Sequence, residues 1–284
     1  MELWFTERHT PNVSFSIKVQ KQLCSVKSRF QQIDVFDSEE FGRFLALDGS
    51  IMFTERDEFI YHEMITHVPM SVHENPENIL IIGAGDGGVS REVLKYPSVK
   101  HIDIVELDEK VAEVCRQFIP QTACGLDSPK VSLTYEDGLK FIRGAENEYD
   151  VIIVDSSDTT GFSEGLFTKE FYGNCYKALK ADGIMVNQHE SPFYLSDSRA
   201  MATAHKRIGQ IFAVSKIYQA HIPTYPSGEW LFGFASKKYH PVKDFNKKRF
   251  NSLKIKTDYY NANLHKASFA LPTYVEKILT RQDW

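Results

Sequence analysis

The chain has 284 residues, of which 42% are hydrophobic, and its net charge is −5 with no long run of Lys or Arg. This charge gives no basic footprint for nucleic acid, and no segment approaches the ~20 apolar residues of a membrane span, so we expect neither a nucleic-acid nor a membrane partner. The length suits one large and one small domain with a substantial core.

The first part of the chain predicts a small antiparallel β-domain over residues 1–53. Short alternating or apolar runs between Ser14 and Phe53 are separated by polar turns, as in a sheet of short strands. Asp48-Gly49 is a typical hairpin turn between two of these runs.

A connecting helix and linker are expected over residues 54–75. Apolar side chains recur there at helical spacing and predict a helix that ends at Pro69. This helix carries Tyr61 and His62. Three acidic residues suit its first turn: Glu55, Asp57 and Glu58.

Residues 76–284 alternate between strand and helix patterns, which predicts a mostly parallel sheet with helices on both faces. Ligands bind in such sheets at the carboxyl ends of the strands. We expect strands near 79–82, 101–105, 131–135, 150–154, 184–188, 212–221 and 230–235, with helices between the first five.

A glycine turn with an acid inside it, residues 83–88, follows the first of these strands. Gly83 and Gly85 allow a tight turn in which the backbone approaches a nucleotide closely. Asp86 argues against a pyrophosphate there, because a carboxylate repels phosphate and attracts an ammonium or sulfonium group. The turn therefore favours a nucleoside with a cationic tail over NAD.

Acidic residues follow several strands of the predicted sheet. Glu106 ends the second strand, about twenty residues after the turn, where this kind of fold places the acid that binds ribose hydroxyls. Asp137-Gly138 follows the next strand, and 155–158 (Asp-Ser-Ser-Asp) follows the one after it. Crowded carboxylates repel unless cations bind among them, so the crevice predicts a polycationic substrate.

Six motifs are distributed over nearly the whole chain: 29–31 (RFQ), 54–64 (TERDEFIYHEM), 83–88 (GAGDGG), 155–158 (DSSD), 222–228 (IPTYPSG) and 265–272 (HKASFALP). In these motifs the chain resembles the bacterial type of the spermidine synthase family of polyamine aminopropyltransferases. The resemblance implies a Rossmann-like, methyltransferase-type doubly wound sheet preceded by the small β-domain. It also implies transfer of the aminopropyl group of decarboxylated S-adenosylmethionine to putrescine, giving spermidine and methylthioadenosine, in a homodimer or homotetramer.

The donor's tail carries only positive charge once its carboxylate has been removed, so Asp86 is expected to attract the tail's ammonium. The resemblance implies that Gln31 and His62 also contact the donor. It further implies that Glu106 holds the ribose and that Asp137-Gly138 contacts the adenine.

The attacking amine must be neutral, yet an alkyl ammonium has a pKa of about 10.4, so a base has to accept its proton. Asp155 is the expected base, with Tyr61 and Tyr225 as hydrogen-bonding partners that orient the amine. The family pattern places Asp158 on the diamine as well. Gln188 and Glu190 are candidates for contact with its distal ammonium.

Three positions depart from the family pattern: Thr159 and Phe162 replace prolines, and Ala84 replaces a glycine. Loss of the two proline rings predicts a looser loop over the donor, from Thr159 to Phe167. Ala84 is expected to have a negative φ. Amine methylation by intact S-adenosylmethionine and catalytically silent polyamine binding remain as alternative functions.

No bound prosthetic group and no metal are expected. Four cysteines lie far apart without CxxC spacing and predict reduced thiols in a cytoplasmic protein: Cys24, Cys115, Cys124 and Cys175. His205, His221 and His265 are scattered along the chain and are assigned to structure.

Overall fold

The structure, a computed structural model, describes residues 2–156 and 161–281. An antiparallel five-stranded sheet opens the chain, with its strands side by side in chain order. They are β1 (Leu3–Thr10), β2 (Val13–Lys27), β3 (Gln32–Ser38), β4 (Gly42–Leu47) and β5 (Ser50–Thr54). Asp48 and Gly49 both have positive φ, as the predicted hairpin turn between β4 and β5 requires.

A helix, α1 (Glu58–Val72), leads to a seven-stranded sheet. The strands of this second sheet are β6 (Asn78–Gly83), β7 (His101–Glu106), β8 (Val131–Tyr135), β9 (Tyr149–Asp155), β10 (Leu179–Gln188), β11 (Val214–His221) and β12 (Glu229–Ser236). Their order across the sheet is β11-β12-β10-β9-β6-β7-β8. The five from β10 to β8 are parallel, whereas β12 runs antiparallel to both of its neighbours.

Helices cover both faces of the second sheet. Alternate residues of the central strands enter two different cores: Ile79 and Ile81 of β6 face one, and Leu80 and Ile82 face the other. The predicted fold class is confirmed. The remaining helices are α2 (Gly88–Val93), α3 (Glu109–Phe118), α4 (Pro120–Ala123), α5 (Gly138–Gly144), a 3₁₀ helix (Gly161–Phe167), α6 (Lys169–Ala178), α7 (Leu195–Gly209), α8 (Lys247–Ser252), α9 (Ala262–Ala267) and α10 (Thr273–Thr280).

All seven strands predicted for the second sheet are present, and the largest difference is β10, which begins at Leu179. The prediction missed β1, because its sequence mixes polar and aromatic residues and buries only Glu7. The division at 53 and 75 into separately folding units stays a prediction. Among the described residues, no helix has both the length and the apolar character of a membrane span.

The predicted end of α1 at Pro69 is wrong, because the helix continues to Val72. Arg249 explains the extra turn, since its guanidinium donates to three backbone carbonyls at the end of the helix. These are the oxygens of Ser71 at 2.6 Å, Val72 at 3.1 Å and His73 at 2.9 Å. Side-chain donors of this kind satisfy the carbonyls that a helix end leaves open.

The first turn of α1 also differs from the prediction, because only Glu58 of the three expected acids lies in it. Asp57 instead accepts hydrogen bonds from the backbone N and the hydroxyl of Thr224, at 3.0 and 2.6 Å. This contact ties the start of α1 to the loop between β11 and β12.

Candidate active site

A cavity of about 440 Å³ lies between the first sheet and the carboxyl ends of β6, β7 and β9. Its position follows the rule that an open α/β sheet binds ligands where its parallel strands end. The cavity is lined by these predicted site residues: Gln31, Tyr61, His62, Gly83, Gly85, Asp86, Glu106, Asp137, Gly138, Asp155 and Tyr225. Asp158, the remaining one, lies outside the described residues.

The glycine turn brings the backbone of β6 against that of β9. Gly83 has a φ of 88°, and a Cβ atom there would lie 1.9 Å from the carbonyl oxygen of Asp155. Ala84 has a φ of 59°, so the expected negative φ is wrong. The reason is that the backbone N of Ala84 donates to the same Asp155 carbonyl at 3.1 Å, which holds the residue in the left-handed region.

Glu106 ends β7 and bonds to the turn. One carboxylate oxygen accepts from the backbone N of Gly85 at 3.0 Å, and the other accepts from the backbone N of Asp108 at 2.9 Å. Burial raises the pKa of Glu106 to about 7, with help from the charges of Asp108 and Asp86 and against these two backbone bonds. A Cβ at Gly85 would lie 2.8 Å from the Glu106 carboxylate, so a side chain here would displace Glu106 from its bond to the turn.

Asp155 ends β9 and accepts a hydrogen bond from the hydroxyl of Tyr61 at 2.6 Å. Burial and the charge of Asp86 raise the pKa of Asp155 to about 7, although His62 and the Tyr61 bond act against the rise. A carboxyl group with a pKa near neutrality is a better proton acceptor than an ordinary aspartate.

His62 lies between two carboxylates. Its Nδ1 is 2.5 Å from Glu58, one turn earlier on α1, and its Nε2 is 3.3 Å from Asp86. Burial alone would lower the pKa of His62, but Asp86 and Glu58 outweigh burial and raise it to about 10. The ring is therefore an imidazolium at neutral pH.

The donor-side residues predicted from the family pattern line the same cavity. The Gln31 amide donates to the Asp108 carboxylate at 3.1 Å, and the Asp137 side chain caps α5 by accepting from the backbone N of Leu139 at 2.8 Å. A Cβ at Gly138 would lie 2.6 Å from a methyl carbon of Ile82, so the α5 N-terminus packs tightly on β6.

Two tyrosines, Tyr61 and Tyr225, give the cavity an aromatic part of its lining. The Tyr225 hydroxyl donates to the carbonyl of Met52 at 2.7 Å, and its ring centroid lies 6.0 Å from that of Tyr61. Gln188 also lines the cavity. Its side-chain amide oxygen accepts a hydrogen bond from the backbone N of Glu190 at 3.0 Å. The Glu190 carboxylate accepts from the Gln188 amide at 3.3 Å, with Glu190 at a φ of 66°.

Sequence reasoning missed the contribution of the first sheet. Glu7 of β1 is buried in the cavity wall, where it accepts from the backbone N of Ile51 at 2.9 Å. Trp230 of β12 also lines the cavity. A lone acid in a polar strand gives no signal in the sequence, since only the contact of β1 with β5, through Ile51, places Glu7 in the cavity wall.

Two groups of described residues bring possible metal ligands within 4.8 Å of one another: His62 with Asp86 and Asp155, and His73 with Asp150 and Asp182. The expectation of no metal therefore stays a prediction. His265, which the sequence assigns to structure, is buried. Its ring nitrogens lie 2.7 Å from the Tyr260 hydroxyl and 2.8 Å from the Pro241 carbonyl oxygen.

Two family profiles match the chain. Residues 58–247 match the spermine/spermidine synthase domain, and residues 3–55 match the spermidine synthase tetramerisation domain. A polyamine aminopropyltransferase of Clostridium beijerinckii is 61% identical over 98% of this chain and 98% of the relative. One of Clostridium perfringens is 62% identical over the whole of both chains.

Solved structures agree with these relatives. A spermidine synthase in complex with the transition-state analogue AdoDATO superposes with a TM-score of 0.95 at 44% identity, over 98% of this chain and 94% of the other. The spermidine synthase of Thermotoga maritima superposes with a TM-score of 0.94 at the same identity and coverage.

Proposed function

The chain belongs to the spermine/spermidine synthase family, and on this premise we propose that it transfers the aminopropyl group of decarboxylated S-adenosylmethionine to putrescine. The products are spermidine and methylthioadenosine. The observation that carries the proposal is the set of three carboxylates at the ends of β6, β7 and β9, namely Asp86, Glu106 and Asp155, around one cavity. Such a site favours a cationic donor and a cationic acceptor.

The donor is proposed to bind along the glycine turn. Glu106 accepts from the ribose hydroxyls, while Gln31, Asp137 and Gly138 surround the nucleoside. Asp86 meets the ammonium of the tail. Its contacts with His62 and with the backbone N of Gly88 both use one carboxylate oxygen, Oδ1, so among the described residues the other oxygen keeps its capacity to accept from the donor.

The acceptor is proposed to bind between Tyr61 and Tyr225 with its attacking nitrogen at Asp155. The Asp155 carboxylate takes the proton from the ammonium, and the neutral amine then attacks the carbon bonded to the sulfonium. That carbon–sulfur bond breaks and its electron pair stays on sulfur, which leaves methylthioadenosine. Alignment of the two substrates in one cavity contributes to the rate beside the proton transfer.

The proposal extends to assembly and location. A homotetramer is supported by the match of residues 3–55 to a tetramerisation domain. A cytoplasmic location is supported by the four cysteines, which are all free thiols.

Product analysis tests the function directly. The protein is incubated with decarboxylated or intact S-adenosylmethionine and with putrescine, cadaverine or spermidine, and the products are identified by mass. We expect spermidine and methylthioadenosine from the decarboxylated donor and putrescine. A methylated amine formed from the intact donor would instead support the methyltransferase alternative.

A further inference from the structure

Behind the cavity, a continuous line of ionic contacts runs from α2 through α1 to the glycine turn. The Arg91 guanidinium grips the Glu58 carboxylate with two hydrogen bonds, at 2.7 and 2.9 Å. The same carboxylate lies 2.5 Å from Nδ1 of His62, and Nε2 of His62 faces Asp86 at 3.3 Å. Paired geometry of this kind is the strongest form of ionic hydrogen bond in proteins.

Packing against neighbouring residues fixes the position of the His62 ring. A Cβ atom at Gly88 would lie 2.3 Å from the ring, so the first residue of α2 packs directly on it. Phe53 of β5 packs edge-on at a centroid distance of 6.0 Å. The side chain of His62 is 2% exposed and that of Glu58 is 8% exposed, which shields their contact from water.

The imidazolium lies beside two cavity carboxylates, Asp86 and Asp155. One ligand atom each of His62, Asp86 and Asp155 lies within 4.8 Å of the other two. Two carboxylates at such a distance cannot both stay ionised without a cation nearby. We propose that Glu58 and Arg91 are positioning residues of the active site, which hold the His62 imidazolium beside Asp86 and Asp155 and so lower the cost of having these two carboxylates in one cavity.

The charges around the ring support this role, which rests on the function proposed above. Charged or titratable groups that face His62 or its partners come from α1 (Glu58, Tyr61), the glycine turn (Asp86), α2 (Arg91), β7 (Glu106) and β9 (Asp155). Burial would raise the pKa of Glu58, but His62 and Arg91 outweigh it and lower the pKa to about 2. Glu58 is thus an anion throughout the working range.

Glu58→Gln tests the proposal, because it removes the charge behind His62 and keeps an oxygen that can accept from the ring. Arg91 keeps two other partners, the Glu92 carboxylate at 2.9 Å and the Gln121 carbonyl at 3.1 Å, which favours folding of the variant. We expect the pKa of His62 to fall and the alkaline limb of the pH profile of kcat/KM to move down by about one pH unit, the size expected for loss of one nearby charge.

A matched control is Glu63→Gln on the same helix. Glu63 is also buried, but it accepts from the backbone N atoms of 258–260, away from the cavity. We expect this variant to lose stability without any shift of the pH profile. Arg91→Lys keeps a cation behind Glu58, and we expect it to retain most of the parent's pH profile of kcat/KM. Arg91→Gln removes the cation, and we expect it not to retain that profile.

The decisive readout is the titration of His62 in donor-free protein, followed by NMR of histidine-labelled samples and assigned with a His62→Gln variant. We expect a lower pKa of His62 in Glu58→Gln than in the parent. An unchanged His62 titration, or an equal shift of the profile in Glu63→Gln, would overturn the proposal. This titration does not depend on turnover, so a parent protein that transfers no aminopropyl group would contradict the proposed function alone.

Discussion

The aspartates at the two ends of strand β9 have opposite electrostatic surroundings. Asp150, near the amino end, accepts from the Lys180 ammonium at 2.9 Å and from the backbone N atoms of 77 and 78 at 3.0 and 2.8 Å. Asp155, at the carboxyl end, has the neutral Tyr61 hydroxyl as its hydrogen-bond donor and faces the carboxylate Asp86. The amino end of the sheet neutralises its own acids, whereas the carboxyl end keeps negative charge for a ligand.

This difference separates structural acids from functional acids on one strand. A carboxylate with a lysine and backbone donors stabilises the fold at neutral pH. One that is buried beside another carboxylate costs stability when it ionises, and this cost is recovered when a cation binds. Exchange of single acids at the two ends should therefore separate loss of activity from loss of stability.

Asp155→Asn has the largest expected effect. The amide is nearly isosteric, so fold and donor binding should persist, but kcat should fall by about 10²–10⁴-fold because the proton acceptor is lost. The rate of the variant should rise more steeply with pH than that of the parent, since neutral amine becomes more abundant. The measurement is kcat against pH at saturating donor, and parallel profiles with a small rate difference would mean that Asp155 only binds charge.

Asp86→Asn should weaken donor binding and leave the aminopropyl carbon in reach of the amine. Loss of a hydrogen bond between charged groups costs about 1.5–3 kcal/mol, or roughly 10–100-fold in Kd. Discrimination against the intact donor should fall as well, because its carboxylate no longer meets a like charge. Calorimetric titration with decarboxylated donor measures the loss, and an unchanged Kd would show that Asp86 does not meet the tail.

Stability should change in opposite directions at the two ends of β9. The pKa of Asp155 is raised to about 7 in the fold, so its favourable contribution is present below about pH 4 and is lost as pH rises through 7. At pH 8 without ligand, Asp155→Asn should therefore be more stable than the parent by about 1–3 kcal/mol, with a smaller difference at pH 5 and almost none below pH 4.

Asp150→Asn is the counterpart on the same strand. It should be less stable at pH 8 by about 1–3 kcal/mol, because it weakens a buried network with a lysine and two backbone donors. Its kcat should equal that of the parent. Urea unfolding of both variants at pH 5 and 8 makes the comparison, and the same sign of change in both would contradict the contrast between the two ends.

Asp182→Asn has the smallest expected effect. Its side chain is 36% exposed and lies 3.9 Å from the ammonium of Lys238, so the pair is worth less than about 1 kcal/mol. Both kcat and the Kd of the donor should stay at the parent values. A kinetic change here would mean that the amino end of the sheet communicates with the cavity.

The strand pattern and the site chemistry were readable in the sequence where local rules decide them. Continuous apolar runs identify the parallel strands, and acids at their ends converge because parallel strands finish at one edge of a sheet. What escaped prediction depends on distant contacts. The extra turn of α1 needs Arg249, and the positive φ of Ala84 needs the carbonyl of Asp155.

The wall formed by Glu7 and the pairing of Glu58 with Arg91 were hidden for the same reason. Glu7 bonds to Ile51, and Glu58 bonds to Arg91, so each contact joins elements that are far apart in the chain. Neither pair has a sequence spacing from which a contact could be predicted. Burial of a carboxylate, which sets the pKa of Glu106 and of Asp155, likewise becomes visible only when the whole cavity is assembled.

An excess of negative charge at the carboxyl end of the sheet is expected to select the donor. Calorimetric titration of the parent protein with decarboxylated and with intact S-adenosylmethionine tests it most directly, since the two molecules differ only in one carboxylate. We expect the decarboxylated donor to bind at least about tenfold more tightly, with a preference that shrinks at high salt. Equal affinities for the two donors would contradict the account.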